Sequence, residues 1–348
     1  MMHRRQILKA AGAATLGVAT ARAMAQQTIT LKFHTFMAPS SNLWLKGHKA
    51  WMQKIESESG GRIVFQGYPA MQLGGTPAQL FDSVRDGVVD VAWSLPGYTP
   101  GRFPRTEVFE LPFFTYDGEG ASRAAWEYAS SHAMEEFSEV RLLAFHTQAP
   151  GHFNMRNKLI KSVADLRGMK IRGATRKCTQ LLGSVGAIPV GMPLPQITDA
   201  VSKGVVDGAV LPWEVMPSVK LHELTTFHSE FRKGHPGLYN STCFMFMNKE
   251  KYASLPADLK QVIDRNSGLE TSAFLGKLIQ DNDPAARKMA LDRGNTIHVI
   301  DGAEAEEFVK RSASLEAGWA KEVSKPGVDG AKLLQVARDL VEKYRVKA

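Results

Sequence analysis

The sequence predicts an α/β protein of two lobes that face each other across a cleft, and three observations carry that prediction. Strand and helix patterns alternate along most of the chain, and an eleven-residue helix–Gly–Val-Val-Asp unit occurs twice, 117 residues apart. The length, 348 residues, suits two domains at roughly 100–200 residues each. The 44% hydrophobic content excludes wholesale disorder, and two cysteines exclude a disulfide scaffold or a cysteine-rich zinc module.

The N-terminus reads as an address. Arg4, Arg5 and Lys9 precede a small-residue apolar run from Ala10 to Ala21, and Ala23-Met24-Ala25 supplies an A-x-A cleavage site. Residues 1–25 are therefore assigned to a signal peptide, with the mature chain starting at Gln26. Arg4-Arg5-Gln6-Ile7-Leu8-Lys9 fits a twin-arginine export signal, and an ordinary Sec signal is the alternative. The apolar run is too short for a permanent anchor, and no Cys near the cleavage site offers a lipid anchor. Either route places the mature protein in the periplasm. Cleavage removes four basic side chains and no acidic one, which takes the formal charge from +8 to +4. That excess is spread out, without the Lys/Arg blocks of a nucleic-acid or polybasic membrane binder.

Thr28 to His34 alternates as a strand, and Leu43 to Ser59 has Trp44, His48, Trp51, Met52 and Ile55 at helical spacing. Arg62 to Tyr68 returns to strand, Pro77 to Gly87 is a short helix, and Val88 to Leu95 is a buried strand. This order argues for a mainly parallel sheet covered on both faces. Ala121 to Val140 is helical and Arg141 to Gln148 a strand; Ser162 to Leu166 is a short helix opened by a capping box, and Met169 to Arg172 a strand. Cys178 to Val185 and Ile197 to Lys203 are helices, and Val205 to Leu211 and Thr242 to Met247 are strands. Ala257 to about Ala290 reads as one long helix, and Ala303 to Tyr344 as two helical pieces.

The repeated unit reads Asp82 to Ala92 (DSVRDGVVDVA) and Asp199 to Ala209 (DAVSKGVVDGA), identical at seven of eleven positions. Each copy is a helix, a Gly stop suited to positive φ, and a Val-Val-Asp strand. Two similar lobes then contribute equivalent strand ends, and ligands of such sheets bind beyond the carboxyl ends of strands. The candidates just past those ends are Phe36, Met37 and Ser40; Trp93 and Tyr98; Gly151, His152 and Phe153; Arg172; and Leu211, Trp213 and Glu214.

One arginine among many aromatics suits a carboxylate on an apolar body. A guanidinium grips a carboxylate with two parallel hydrogen bonds, and aromatic rings wall the rest. Each residue also has a purely architectural reading. Arg172 can end a strand at the surface, Trp93 can fill a core, Trp213-Glu214 can begin a helix, and Phe36 and Phe153 can close lobe cores. No HExxH, G-x-S-x-G, Walker or Rossmann motif occurs in the mature chain, so no catalytic residue and no cofactor is assigned. Gln148 and Glu214 could hold a cation, but as two scattered oxygen donors they leave a metal unassigned. Cys178 and Cys243 fall in different lobes, where a disulfide would pin the hinge, so both are expected as buried thiols.

Further motifs follow in order along the mature chain: Tyr68-Pro69-Ala70-Met71-Gln72-Leu73-Gly74, Asp165-Leu166-Arg167-Gly168-Met169-Lys170-Ile171-Arg172 and Gly186-Ala187-Ile188-Pro189-Val190. Pro193-Leu194-Pro195, Gly204-Val205-Val206-Asp207-Gly208 and Asn248 to Pro256 continue them. With these motifs the sequence resembles the extracytoplasmic solute-binding receptors of tripartite ATP-independent periplasmic (TRAP) transporters. The resemblance implies a type II-like periplasmic binding protein fold with hinge strands, a long helix spanning both lobes, and closure on a small organic acid. Residues 26–148 and 240–278 would form lobe I, and 149–239 and 279–348 lobe II. It further implies Arg172 as the carboxylate clamp, delivery to TRAP membrane permease subunits, and no chemistry on the ligand.

Two departures narrow the ligand. Where many relatives have an Asn three residues beyond Asp-Gly, this chain has Leu211-Pro212-Trp213-Glu214, and a second arginine found in some is missing after Gly151-His152-Phe153. Both point away from sialic acids and C4-dicarboxylates, and toward a monocarboxylate with an apolar or aromatic body. The ligand set read from the sequence is Arg172, Trp93, Phe36, His152, Phe153, Trp213, Glu214 and Leu211, with His152 bonding a hydroxyl or oxo group beside the carboxylate. A monomer outside the membrane, binding no nucleic acid, is the expected form. A binding protein of another importer class, a ligand-sensing receptor and a periplasmic enzyme share parts of this pattern; the enzyme lacks a catalytic constellation.

Overall fold

Two separate sheets, each wound from parallel strands plus one returning strand, organise the molecule. The computed structural model describes residues 28–345; the segment expected to be a signal peptide with a twin-arginine motif lies outside the described residues. The first sheet has the order β2-β1-β3-β10-β4, with β1 (Ile29–Thr35), β2 (Ile63–Tyr68), β3 (Val91–Ser94), β4 (Val140–Thr147) and β10 (Thr242–Asn248). The second has the order β11-β9-β5-β8-β6-β7, with β5 (His152–Met155), β6 (Lys170–Gly173), β7 (Ile188–Gly191), β8 (Gly208–Leu211), β9 (Phe227–Phe231) and β11 (Thr296–Ile300). In each sheet the returning strand, β10 or β5, runs antiparallel to both its neighbours.

The chain crosses between the sheets twice in its middle, at the β4–β5 and β9–β10 connections. Those crossings pair with each other: Gly151 donates its N–H to the Tyr239 carbonyl at 2.8 Å and Gln148 to the Ser241 carbonyl at 3.1 Å. A third link is the Leu269–Asp292 helix. Near its start Ser272 Oγ accepts the Phe145 N–H of β4 at 3.0 Å, and near its end Arg287 bonds Glu230 of β9. It therefore spans both sheets.

The repeated unit folds the same way in both halves. The short helices Leu80–Arg85 and Ile197–Ser202 end at Gly87 and Gly204, whose φ values of 72° and 69° carry the chain through the left-handed region. The Val-Val-Asp that follows is a turn rather than the strand the sequence suggested. Val88 and Val205 are 64% and 52% exposed, and the strands begin only at Val91 and Gly208. The aspartates explain the repeat. Asp90 Oδ2 accepts the Lys32 N–H of β1 at 2.7 Å, and Asp207 Oδ2 accepts the Lys170 N–H of β6 at 2.7 Å. Each carboxylate fastens its turn to the adjacent strand by a charge-assisted bond.

Other boundaries shift for local reasons. The helix expected over Ala257 to Ala290 is broken into Ala257–Arg265 and Leu269–Asp292, because Gly268 (φ 90°) turns in to donate to the Leu143 carbonyl at 2.7 Å. The helix expected from Leu43 starts as a wide turn, Leu43–His48, before Lys49–Glu58. The tail forms three helices, Gly302–Ser312, Ser314–Val323 and Gly330–Tyr344. The last lies along the Glu119–His132 helix beside the first sheet, where Lys343 and Tyr344 both bond Glu127. The expected division had placed this segment with lobe II. Strands β7 and β11 lie at the sheet edge and are largely exposed, which is why their sequences show no burial pattern. Cys178 and Cys243 are buried free thiols.

Candidate functional site

A narrow, nearly closed cavity lies where the carboxyl ends of both sheets meet the two crossings. From the first sheet it takes Phe36 beyond β1, and Leu95 and Tyr98 beyond β3. The second sheet gives Arg172 on β6, Val210 and Leu211 on β8, and Pro212 and Val215 beyond it. The crossings give Gln148, Ala149 and Gly151 on one side and Tyr239 and Ser241 on the other.

Arg172 is 2% exposed, among the most buried large side chains of the protein. Its Nε donates to the Met192 carbonyl at 2.9 Å and its Nη1 to the Val210 carbonyl at 3.4 Å. These bonds orient the guanidinium and leave donors uncommitted. Among the described residues no carboxylate lies within ion-pair distance of it. Beside it stands Tyr98, whose hydroxyl accepts the Leu194 N–H at 3.0 Å; burial raises that phenol, and the nearby Arg172 charge opposes the rise. A buried guanidinium without a counter-charge is costly until an anion joins it.

The lobes are held together around this cavity. Arg176 and Lys177, on the Arg176–Ser184 helix of the second sheet, pair with Glu107 from the Thr106–Glu110 turn that leads back into the first. Gly97 is pressed against Thr175 so closely that a Cβ there would sit 2.4 Å from Thr175 Cγ2. Only glycine permits that approach.

The sequence-derived set divides. Phe36, Arg172 and Leu211 come together in the cavity wall, and Tyr98, another candidate past a strand end, and Gln148, noted as an oxygen donor, join them. Five others lie outside it. Trp93 is fully buried beneath the first sheet's ends, where Nε1 donates to His146 Nε2 at 2.9 Å; Phe36 packs on it at 5.4 Å. Phe153 alternates to the opposite face of β5 and packs on Phe308 in the second core. His152 and Trp213 pack with ring centroids 4.9 Å apart around a second opening behind Ala149–Gly151, and Trp213 Nε1 donates to Glu230. Burial drives the His152 imidazole down to about 4. The Glu214 backbone N–H meets Asp283 Oδ1 of the long helix at 2.8 Å, while its side chain is bonded by Asn42 with Lys46 nearby; burial lifts that carboxyl to about 7. Trp93, His152, Phe153, Trp213 and Glu214 thus follow the expected strand ends but do not line this cavity. Tyr239 and Ser241 were missed because they precede a strand rather than follow one. Their position opposite the Gln148–Gly151 crossing was the usable signal.

The profile of the DctP group, the bacterial extracellular solute-binding proteins of family 7, matches residues 34–322. A TRAP solute-binding protein of Rhodoferax ferrireducens T118, solved in complex with copurified benzoate, is 55% identical, with a TM-score of 0.89 over 91% of this chain and 98% of that one. A marine-metagenome TRAP solute-binding protein described as specific for aromatic acid ligands, solved with 3-hydroxybenzoate, is 47% identical, with a TM-score of 0.90 over 92% and 100%. The outer membrane transporter protein TsaT of Comamonas testosteroni is 27% identical over 97% of this chain and 98% of its own.

Proposed function

This chain belongs to the bacterial extracellular solute-binding proteins of family 7, the receptors of TRAP transporters, and from that premise we propose that it captures an aromatic monocarboxylate in the cavity around Arg172. The observation that carries the reading is the buried, carboxylate-free Arg172 at the end of a small, mainly apolar chamber. An aromatic acid supplies both things the chamber lacks: an anion for the guanidinium and a flat apolar body for the walls of Phe36, Leu95, Leu211 and Val215. A dicarboxylate or sugar acid would bury polar groups for which these walls offer few partners. The benzoate and 3-hydroxybenzoate complexes of similar receptors support the same ligand class.

The receptor acts in the periplasm as a monomer and hands its ligand to a TRAP permease after the lobes close on it. Lobe I comprises residues 26–148 and 240–278, and lobe II 149–239 and most of 279–348. The Gly330–Tyr344 helix goes with lobe I because it packs on the Glu119–His132 helix.

The test is thermal unfolding of residues 26–348, after removal of copurified ligand, with aromatic monocarboxylates, C4-dicarboxylates and sugar acids. A ligand that binds only the folded state raises the midpoint by mass action. A rise confined to the aromatic acids is the expected outcome. A rise only with dicarboxylates or sugar acids would refute the ligand class.

A further inference from the structure

The cavity wall at Tyr239 and Ser241 is wired to a buried carboxyl. Glu110 is 1% exposed. Its Oε1 accepts the Thr242 N–H at 3.0 Å and the Thr242 hydroxyl at 2.7 Å; its Oε2 accepts the Thr175 hydroxyl at 2.6 Å. Thr175 has one hydroxyl proton, and Glu110 takes it. Toward Tyr239, whose hydroxyl is its other partner, Thr175 therefore acts as an acceptor. Tyr239 has then committed its own proton, and Ser241 Oγ stands 3.4 Å away on the donor side. Every hydroxyl proton in the chain points toward Glu110, so the wall offers the cavity oxygen lone pairs.

We propose that this hydroxyl chain makes the receptor select aromatic acids that carry a ring hydroxyl, with Tyr239 and Ser241 as the specificity-determining contacts and Glu110 as a positioning residue. The inference rests on the aromatic-acid reading of the same cavity. A ligand O–H finds an acceptor there, whereas the matching methyl ether sets one lone pair against another and leaves both desolvated.

The direction of the chain holds while Glu110 is ionised. Burial lifts its carboxyl to about 7, and Glu107 on its own turn adds to the rise. The other titratable groups facing it are Cys178 from the Arg176–Ser184 helix, Cys243 of β10 and Tyr239 of the crossing, and the cations Arg176 and Lys177 on that helix are paired with Glu107. Protonated on Oε2, Glu110 donates to Thr175 and the chain is free to reverse. Tyr239 or Ser241 then offers a proton to the cavity, and the methyl ether becomes acceptable.

The experiment is calorimetric titration of benzoate, the three hydroxybenzoates and their methyl ethers at about pH 8 and about pH 5.5, where the carboxylates stay ionised and the phenols protonated. At the higher pH at least one hydroxybenzoate is expected to bind about tenfold tighter than its ether, and at the lower pH about threefold or less. Steric exclusion of the methyl group would not change with pH. Tyr239→Phe should remove the pH dependence of that ratio, leaving it within about threefold between the two pH values. Glu110→Gln should give the low-pH ratio at both pH values. If that variant does not fold, the wild-type profile and Tyr239→Phe decide. A ratio independent of pH in the wild type, with benzoate still bound, overturns the inference alone. Failure of every aromatic acid to bind overturns the underlying ligand reading as well.

Discussion

The two copies of the helix–Gly–Val-Val-Asp unit share a backbone and differ in what they present to the cleft. In the first, His34 of β1 lies opposite Ala92 of β3; in the second, Arg172 of β6 lies opposite Ala209 of β8. Both stand two residues beyond the lysine whose N–H is held by Asp90 or Asp207. At one structural position, then, lobe I carries an imidazole that burial keeps toward its neutral form, and lobe II carries a permanent cation. The surroundings follow suit. Lobe I adds the aromatic wall of Phe36 and Tyr98, and lobe II adds the carbonyls of Met192 and Val210 that aim the guanidinium. Repetition supplies the frame, and the proposed chemistry of capture sits in one departure from it.

The largest expected effect tests that departure. Arg172→Ala should weaken benzoate binding by at least about a hundredfold, because a desolvated carboxylate left without its partner costs about 3–5 kcal/mol. His34→Ala, at the equivalent position, should change it by less than about threefold. Titration calorimetry on both variants decides the matter. Equal losses would erase the distinction between the lobes. Next in size is closure itself. Gly97→Ala places a methyl where Thr175 must sit, so it should weaken binding about tenfold by opposing the closed form. Parting the lobes would relieve that clash, so the unliganded melting temperature should stay nearly unchanged.

A smaller effect separates frame from function. Asp90→Ala and Asp207→Ala remove the same charge-assisted bond from equivalent turns, so each should lower unfolding stability by about 1–2 kcal/mol in denaturant titration. Only Asp207→Ala should also weaken ligand binding, by about threefold, since its bond anchors the strand that carries Arg172. Equal effects on affinity would mean that β6 needs no such anchoring.

Much of this was legible in the sequence because the frame repeats. The seven shared positions of the two units announced two lobes, and Arg172 stood out as the cation at a strand end. Side-chain direction was harder to read. A strand end names a neighbourhood, but alternation sends Phe153 into a core while the chain just before it lines the cleft. Trp93 and Trp213 were drawn to the site by their size, yet each indole needs a partner for its N–H and finds one beneath the sheets, in His146 and Glu230. Tyr239 and Ser241 owe their place to pairing between two crossings far apart in sequence, which no local pattern encodes.

The lobes finally share an electrostatic debt that a pH series exposes. Burial raises Glu136 beside the first sheet to about 7, Glu214 at the second sheet's end to about 7, and Asp283 on the spanning helix to about 8. In the unfolded chain such carboxyls titrate near pH 4. The folded state therefore holds protons that the unfolded state has already lost, and stability must fall as pH rises toward the folded values. Buried imidazoles act in the opposite sense: His146 in lobe I and His152 and His228 in lobe II are depressed to about 4, and their contribution grows with pH only up to about 6.5. Above that point the carboxyls act alone. The unliganded protein is expected to melt about 2–4 °C lower at pH 8 than at pH 6.5. Asp283→Asn keeps an acceptor for the Glu214 N–H and should remove the largest share of that slope, and Glu136→Gln a smaller one. A melting temperature that rises across this window would show that these carboxyls are ionised in the folded protein.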